Sequence, residues 1–453
     1  MSEEHRQENK MGVMPIKNLI VSMSLPMMVS MLVQALYNVV DSIFVSRLSE
    51  NALTAVGLVF PMQNLMFSIS LGTGVGINAV LSKSLGEKKF KDSDAAANNG
   101  LLLMFLSSII FIFVGIFAAA PFVYSQTDVP DVAKQAIEYL QVVCVCSFAS
   151  YFQVTFERLL QSTGKSVQSM ISQMTGAVIN IILDPIMIFG LCGCPAMGVR
   201  GAAIATVTGQ FCAACLGLYL NIKYNKDINL SFRKVFKLRG DIIGKIYIVG
   251  VPSILMMSIG SVMTYSMNII TGKFSSTAQA VFTSYFRLQS FIFMPVFGLN
   301  NGLIPVMAYN YGARNKKRIM EALKFSVIVG ICIMCCGTLL FELGPRFLLG
   351  FFEPSDYMLE IGVPALRIIA LHFPLAAIGI VLGSVFQAFS QSIYSLVISL
   401  ARQLVVLIPV AWLLSLTGVL SNVWWCFICA EITSMLLTVI FYKRVKKKII
   451  DPL

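Results

Sequence analysis

Long apolar runs and short charged breaks alternate along the whole chain. A helix that crosses a bilayer needs about 20 consecutive apolar residues, more if it is tilted. Twelve runs meet this and predict helices near 17–45, 52–82, 97–124, 133–158, 166–190, 199–222, 243–271, 278–310, 320–349, 358–387, 392–416 and 420–442. The expected fold class is an all-α polytopic membrane protein. The few polar positions inside the runs are the first candidates for function, because ionisable groups are costly there.

Residues 27–48, MMVSMLVQALYNVVDSIFVSRL, hold one carboxylate near the middle, Asp41. Gln34, Tyr37 and Asp41 follow at spacings of three and four, so a helix sets them on one face. Pro26 lies upstream, where it leaves one carbonyl without its donor and permits a bend. Asp41 therefore reads as functional; the competing reading is a satisfied polar pair that only fixes helix packing.

The pattern also repeats. An offset of 226 residues takes Pro26 to Pro252, and the same offset joins Ala52 to Ala278, Gln63 to Gln289, Gly72 to Gly298, Gly76 to Gly302, Gly86 to Gly312 and Gln161 to Gln387. Two six-helix lobes are expected, 17–222 and 243–442, joined by a basic linker at 223–242 and flanked by tails at 1–16 and 443–453. Each half begins on the same side, so the repeat is parallel, a transporter architecture that binds substrate between its halves near the midplane. At this offset Asp41 falls on Met267.

Composition supports the same class. The chain has 453 residues, 57% hydrophobic and 12% charged, where ordinary soluble domains are about 25% charged. The net charge of +12 does not point to nucleic acid. Its bases cluster in alternate loops, Lys83 to Lys91, Lys223 to Arg239, Arg314 to Arg318 and Lys443 to Lys448, while the opposite loops hold Asp128, Asp131, Glu353, Asp356 and Glu360. The positive-inside rule then places both termini in the cytoplasm. Residues 1–17 are polar, so the first span is expected to act as an uncleaved signal. Most of the eleven cysteines sit in apolar runs and read as small hydrophobes; Cys192 and Cys194, at a helix end, are the pair placed to oxidise.

Together these residues resemble a known family. The helix with Pro26, Gln34, Tyr37 and Asp41, the glycines Gly72, Gly74, Gly76 and Gly86, the second-half PVFGLNNGLIPVMAYNYGAR, NIILDP at 180–185 and GAAIAT at 201–206 are similar to the multidrug and toxic compound extrusion (MATE) family, and within it to the bacterial MepA-like branch. The resemblance implies a multi-pass protein of the bacterial plasma membrane that exports lipophilic cationic small molecules by alternating access, driven by H⁺ and/or Na⁺, with relevance to antibiotic resistance and acting as a monomer. It also implies a cation-coupling set of Asp41, Asn180, Asp184 and Thr206, which would hold Na⁺ or share a proton. The family's second acidic site has no counterpart: the seventh run carries no acid, and the tenth has His372 but no carboxylate in its apolar part.

Asn180 and Asp184 share a helical face, and Pro185 follows as a second bend position. Gln34, Tyr37, Met31, Met256 and Met257 are candidates for the substrate cavity, because methionine repacks around varied ligands and aromatic faces attract cations. Arg402 and Glu431, on neighbouring predicted spans, are expected to form an ion pair. Glu157 and Arg158 are expected at the membrane interface. No GxxxxGK[ST], HExxH or GxSxG motif is present, so neither an ATP-driven pump nor an enzyme is expected, and no cofactor beyond the coupling ion. A lipid-linked saccharide flippase of the wider superfamily and a non-transporting membrane scaffold or sensor are the alternatives.

Overall fold

A computed structural model describes residues 9–352 and 354–453; His5 and Glu353 lie outside the described residues. The first half comprises α1 (Ile16–Ser46), α2 (Glu50–Gly86), α3 (Phe90–Tyr124), α4 (Pro130–Val145), α5 (Ser147–Ser162), α6 (Ser166–Phe189) and α7 (Gly198–Tyr224). The second comprises α8 (Gly240–Gly272), α9 (Ser276–Gly312), α10 (Lys316–Leu343), α11 (Asp356–Ala370), α12 (Phe373–Ala388), α13 (Ser392–Ser415) and α14 (Leu420–Ile450). Ten described helices are long and apolar enough to cross a membrane; α4–α5 and α11–α12 are bent pairs, at 46° and 45°, that bring the spans to as many as twelve. The helices overrun the apolar runs because each extends from cap to cap. Ser49 and Ser275 start α2 and α9 by accepting from the amides of Ala52 and Ala278 at 3.0 Å.

The repeat is closer in structure than in sequence. At the offset that takes Pro26 to Pro252, α9, α12 and α13 begin and end at the counterparts of the ends of α2, α5 and α6. The bend after α4 falls at Cys146, and its counterpart is His372, at the bend after α11. One local difference stands out. Residues 401–407 of α13 form a π-helical stretch that includes Arg402, whereas α6 is regular α-helix throughout.

Each half has its own apolar core, and a third core spans the seam, joining Leu19, Met23 and Val75 to Val249, Leu303 and Phe386. Repeat-related glycines let the backbones approach there. A Cβ on Gly72 would stand 2.7 Å from the Ile254 nitrogen, and one on Gly298 would stand 2.6 Å from the nitrogen of Met28, the counterpart of Ile254. These contacts gather toward the end that carries the basic loops. A short segment before α1 crosses that end as a strap. Asn9 donates to the Thr163 carbonyl at 2.9 Å and to Asp227 at 3.1 Å on one side. On the other, Arg318 donates to the carbonyls of Met11 and Met14, each at 2.9 Å.

Glu157 and Arg158 depart from expectation. They are 7% and 5% exposed, not interfacial, because the seam covers the end of α5. Gly74 makes room for the Arg158 stem, and the guanidinium donates to Gln161 at 2.9 Å and, across the seam, to Asn301 at 3.0 Å.

Candidate functional site

Two polar stripes face each other inside the first half. On α1, Ser30, Gln34, Tyr37 and Asp41 recur every three or four residues; on α6, Gln173, Asn180 and Asp184 recur every seven and four. At the inner end Gln173 donates to Gln34 at 2.7 Å and pairs with Ser30 as well. Gln34 is therefore a strut between α1 and α6. Further along, Asp184 is fully buried, Asn180 is 2% exposed and Thr206 of α7 is 7% exposed. With its amide turned so that nitrogen faces Asp184, Asn180 donates to Oδ2 at 2.9 Å and accepts from the Thr206 hydroxyl at 3.2 Å and the Thr206 amide at 2.9 Å. Tyr37 reaches the Thr206 side chain as well.

Asp41 is half-buried, its Oδ1 atom is enclosed, and that oxygen has no hydrogen-bond partner among the described residues. Asp41 and Asp184 lie close enough to interact electrostatically, and no cation of the described chain offsets either carboxylate. An enclosed carboxylate oxygen without a partner is unfavourable unless the group is protonated or met by a cation. Carboxylate, amide and hydroxyl oxygens suit such a cation. Among the described residues no group of three or more His, Cys, Asp or Glu is placed to hold a metal.

Tyr139 completes the site and escaped the sequence. It is 3% exposed on α4, lies within electrostatic range of both carboxylates, and accepts a hydrogen bond from Gln63 of α2 at 3.2 Å. Its signal was present, as one hydroxyl in a run with mixed polarity, but nothing local ties residue 139 to residue 41.

The second half does not repeat the site. The counterparts of Tyr37, Asp41, Tyr139, Asn180, Asp184 and Thr206 are Met263, Met267, Ala365, Val406, Val410 and Ile432. That half has a different polar cluster. Arg402 lies 3.3 Å from Glu431, whose side chain is 3% exposed. Nearby, His372 is anchored by its Nδ1 to the Ile369 carbonyl at 2.5 Å and stacks on Phe427. The methionine candidates are dispersed: Met31 and Met256 are half-buried and Met257 is exposed. Both α1 and α6 pass their prolines, Pro26 and Pro185, as continuous helices.

A sequence profile of the MatE family matches residues 26–186 and again 252–413, one copy in each half. The chain belongs to the MatE family. Multidrug export protein MepA of Staphylococcus aureus (strain MRSA252) is 25% identical over 423 residues, covering 92% of this chain and 91% of that protein. A MATE crystal structure in complex with MaL6 superposes with a TM-score of 0.92 at 24% identity, covering 99% and 100% of the two chains. The outward-facing conformation of a multidrug resistance MATE transporter of the MOP superfamily gives 0.91 at 24% identity over 99% of each. The MatE fold thus accounts for the whole chain, and the protein is a multi-pass membrane transporter rather than a soluble protein.

Proposed function

We propose that this MatE protein is a secondary active exporter that exchanges an inward-moving H⁺ or Na⁺ for a lipophilic organic cation. One observation carries the reading: the enclosed, unpartnered oxygen of Asp41 beside a second buried carboxylate, within a shell of Tyr37, Asn180 and Thr206. Two carboxylates in low dielectric are not both ionised without a compensating charge, so they favour one monovalent cation and titrate as a pair.

The geometry of α1 supplies the coupling. Its first part is held by the second half: Ser24 donates to the Leu299 carbonyl at 3.2 Å, and Gly298 packs on Met28. Its later part, from Ser30 to Asp41, is held by α6 of the first half. Pro26 lies in the first of these parts, just before the change of partner, so a cation that alters how Asp41 packs changes the bend of a helix shared by both halves. Differential binding of the cation to the two shapes drives the exchange. By the positive-inside rule the basic loops favour a cytoplasmic position for the end that the strap crosses, and the drug then leaves from the other end. Both halves of the exporter lie in one chain, so a monomer suffices.

The flippase reading requires free bases inside the spans to meet a pyrophosphate. Arg158 and Arg402 are both engaged, with Gln161 and Asn301 and with Glu431, which leaves Arg287, exposed on α9, as the base that reading would have to use. The test is ethidium export from proteoliposomes with Na⁺ and pH gradients imposed separately. Asp41→Asn and Asp184→Asn, at wild-type levels of protein, are expected to abolish gradient-driven export. Normal uphill export by both variants overturns the assignment, and the absence of flux in wild-type liposomes favours a scaffold.

A further inference from the structure

A cavity lies away from the carboxylates, at the basic end of the seam. It has a volume of about 510 Å³ between the ends of α2 and α9 and the last turn of α14 with the residues that follow it. Four cations line it: Lys83 and Lys89 from the first half, Arg314 and Lys448 from the second. One acidic side chain opposes them, Glu87, which already pairs with Lys89 at 2.7 Å and Lys83 at 3.8 Å, and the main-chain carboxylate of Leu453 adds one further negative charge. The cavity therefore keeps an excess of positive charge in a concave site, where fields concentrate.

Its walls are set in place from both sides. Lys83 lies over the Tyr311 ring at 4.8 Å, a cation–π contact across the seam. Arg314 occupies left-handed backbone at φ 53°, a conformation that favours glycine. Its counterpart Lys88 does the same at φ 58°. Lys316, beside Arg314, holds the segment after α14 through Asp451 at 3.0 Å, which keeps Lys448 at the rim.

We infer that this cavity binds a phosphate-bearing anion, which joins the two halves and holds their basic end closed. Phosphate oxygens accept several charge-assisted hydrogen bonds from Lys and Arg at once. Basic pockets between spans on the cytoplasmic side of membrane proteins bind anionic headgroups. The ligand chemistry is common to a phospholipid headgroup and a soluble diphosphate.

The experiment uses the purified full-length chain. Thermal unfolding is followed in detergent with added inorganic pyrophosphate, and in nanodiscs of phosphatidylglycerol against phosphatidylcholine. Pyrophosphate and phosphatidylglycerol are each expected to raise Tm, and Lys83→Gln/Arg314→Gln/Lys448→Gln is expected to weaken pyrophosphate binding by at least about tenfold. The single variants repeat the measurement in case the triple variant folds poorly. Lys447→Gln, exposed and outside the cavity, is expected to bind as wild type. A response to phosphatidylglycerol alone identifies a lipid headgroup as the occupant, and a response to pyrophosphate alone identifies a soluble one. No shift with either, or equal shifts in wild type and the triple variant, overturns the inference.

Discussion

The seam between the halves can be perturbed with a single methyl group. In Gly298→Ala, the new Cβ would stand 2.5 Å from the Met28 Cα, 2.6 Å from its nitrogen and 2.8 Å from the Met27 carbonyl carbon. All three are backbone atoms, so no side chain can swing aside. Ordinary contact begins at 3.4 Å, so α1 and α9 must separate by about 0.9 Å at this point. Overpacking of this kind costs about 1–3 kcal/mol. The cost falls only on the arrangement in which the seam is closed, so the balance between closed and open shifts by about 5- to 150-fold. Hydrogen–deuterium exchange of the full-length protein in nanodiscs reads this directly. Peptides covering residues 16–28 and 246–254 are expected to exchange faster in the variant, with slower ethidium export at equal protein. Gly57→Ala is the control, since nothing lies within 4 Å of a Cβ there. Unchanged exchange in both peptides together with wild-type export would refute the view that these glycines hold the closed state.

Other outcomes follow from the same contacts. Tyr139→Phe removes the hydroxyl that accepts from Gln63 and should weaken cation-driven export about fivefold, for the loss of about 1 kcal/mol, with Tm nearly unchanged; transport at fixed pH and Na⁺ checks it. Arg402→Met leaves Glu431 buried without its partner and should lower Tm more than Arg402→Met/Glu431→Gln does, since an orphaned buried charge costs about 3–5 kcal/mol; paired thermal melts decide. Arg318→Ala releases the carbonyls of Met11 and Met14 and should make the strap more open to limited proteolysis while leaving the helices intact. Gln34→Leu strips the strut from Gln173 and should lower stability by about 1 kcal/mol without altering the ion requirement of export.

Much of this was legible in the residues. Apolar runs of sufficient length report spans whatever their neighbours, and Pro26, the glycines and their counterparts reported the repeat because close backbone packing tolerates few alternatives. The stripe of Gln34, Tyr37 and Asp41 was legible because helical spacing is a local property. Tyr139 and Gln63 were not, since their link joins α4 to α2 and no periodicity within either helix encodes it. Arg158 was misplaced for a related reason. Hydropathy sees an arginine near the end of an apolar run and reads an interface, whereas the covering surface comes from α2 and α9. The cavity at the basic end was hidden as well, because its cations come from three segments that sequence reads only as loop charge.

The unbroken register between the halves has a consequence for stoichiometry. A symmetric pair of identical six-span subunits would carry every acid twice, and any site built on Asp41 would face a twin. Joined in one gene, the two copies are free to diverge residue by residue. Here one keeps Tyr37, Asp41, Asn180 and Asp184 while the other holds Met263, Met267, Val406 and Val410 at the same positions. The fused chain thus carries this pair of buried carboxylates once, where a dimer of identical subunits would carry it twice.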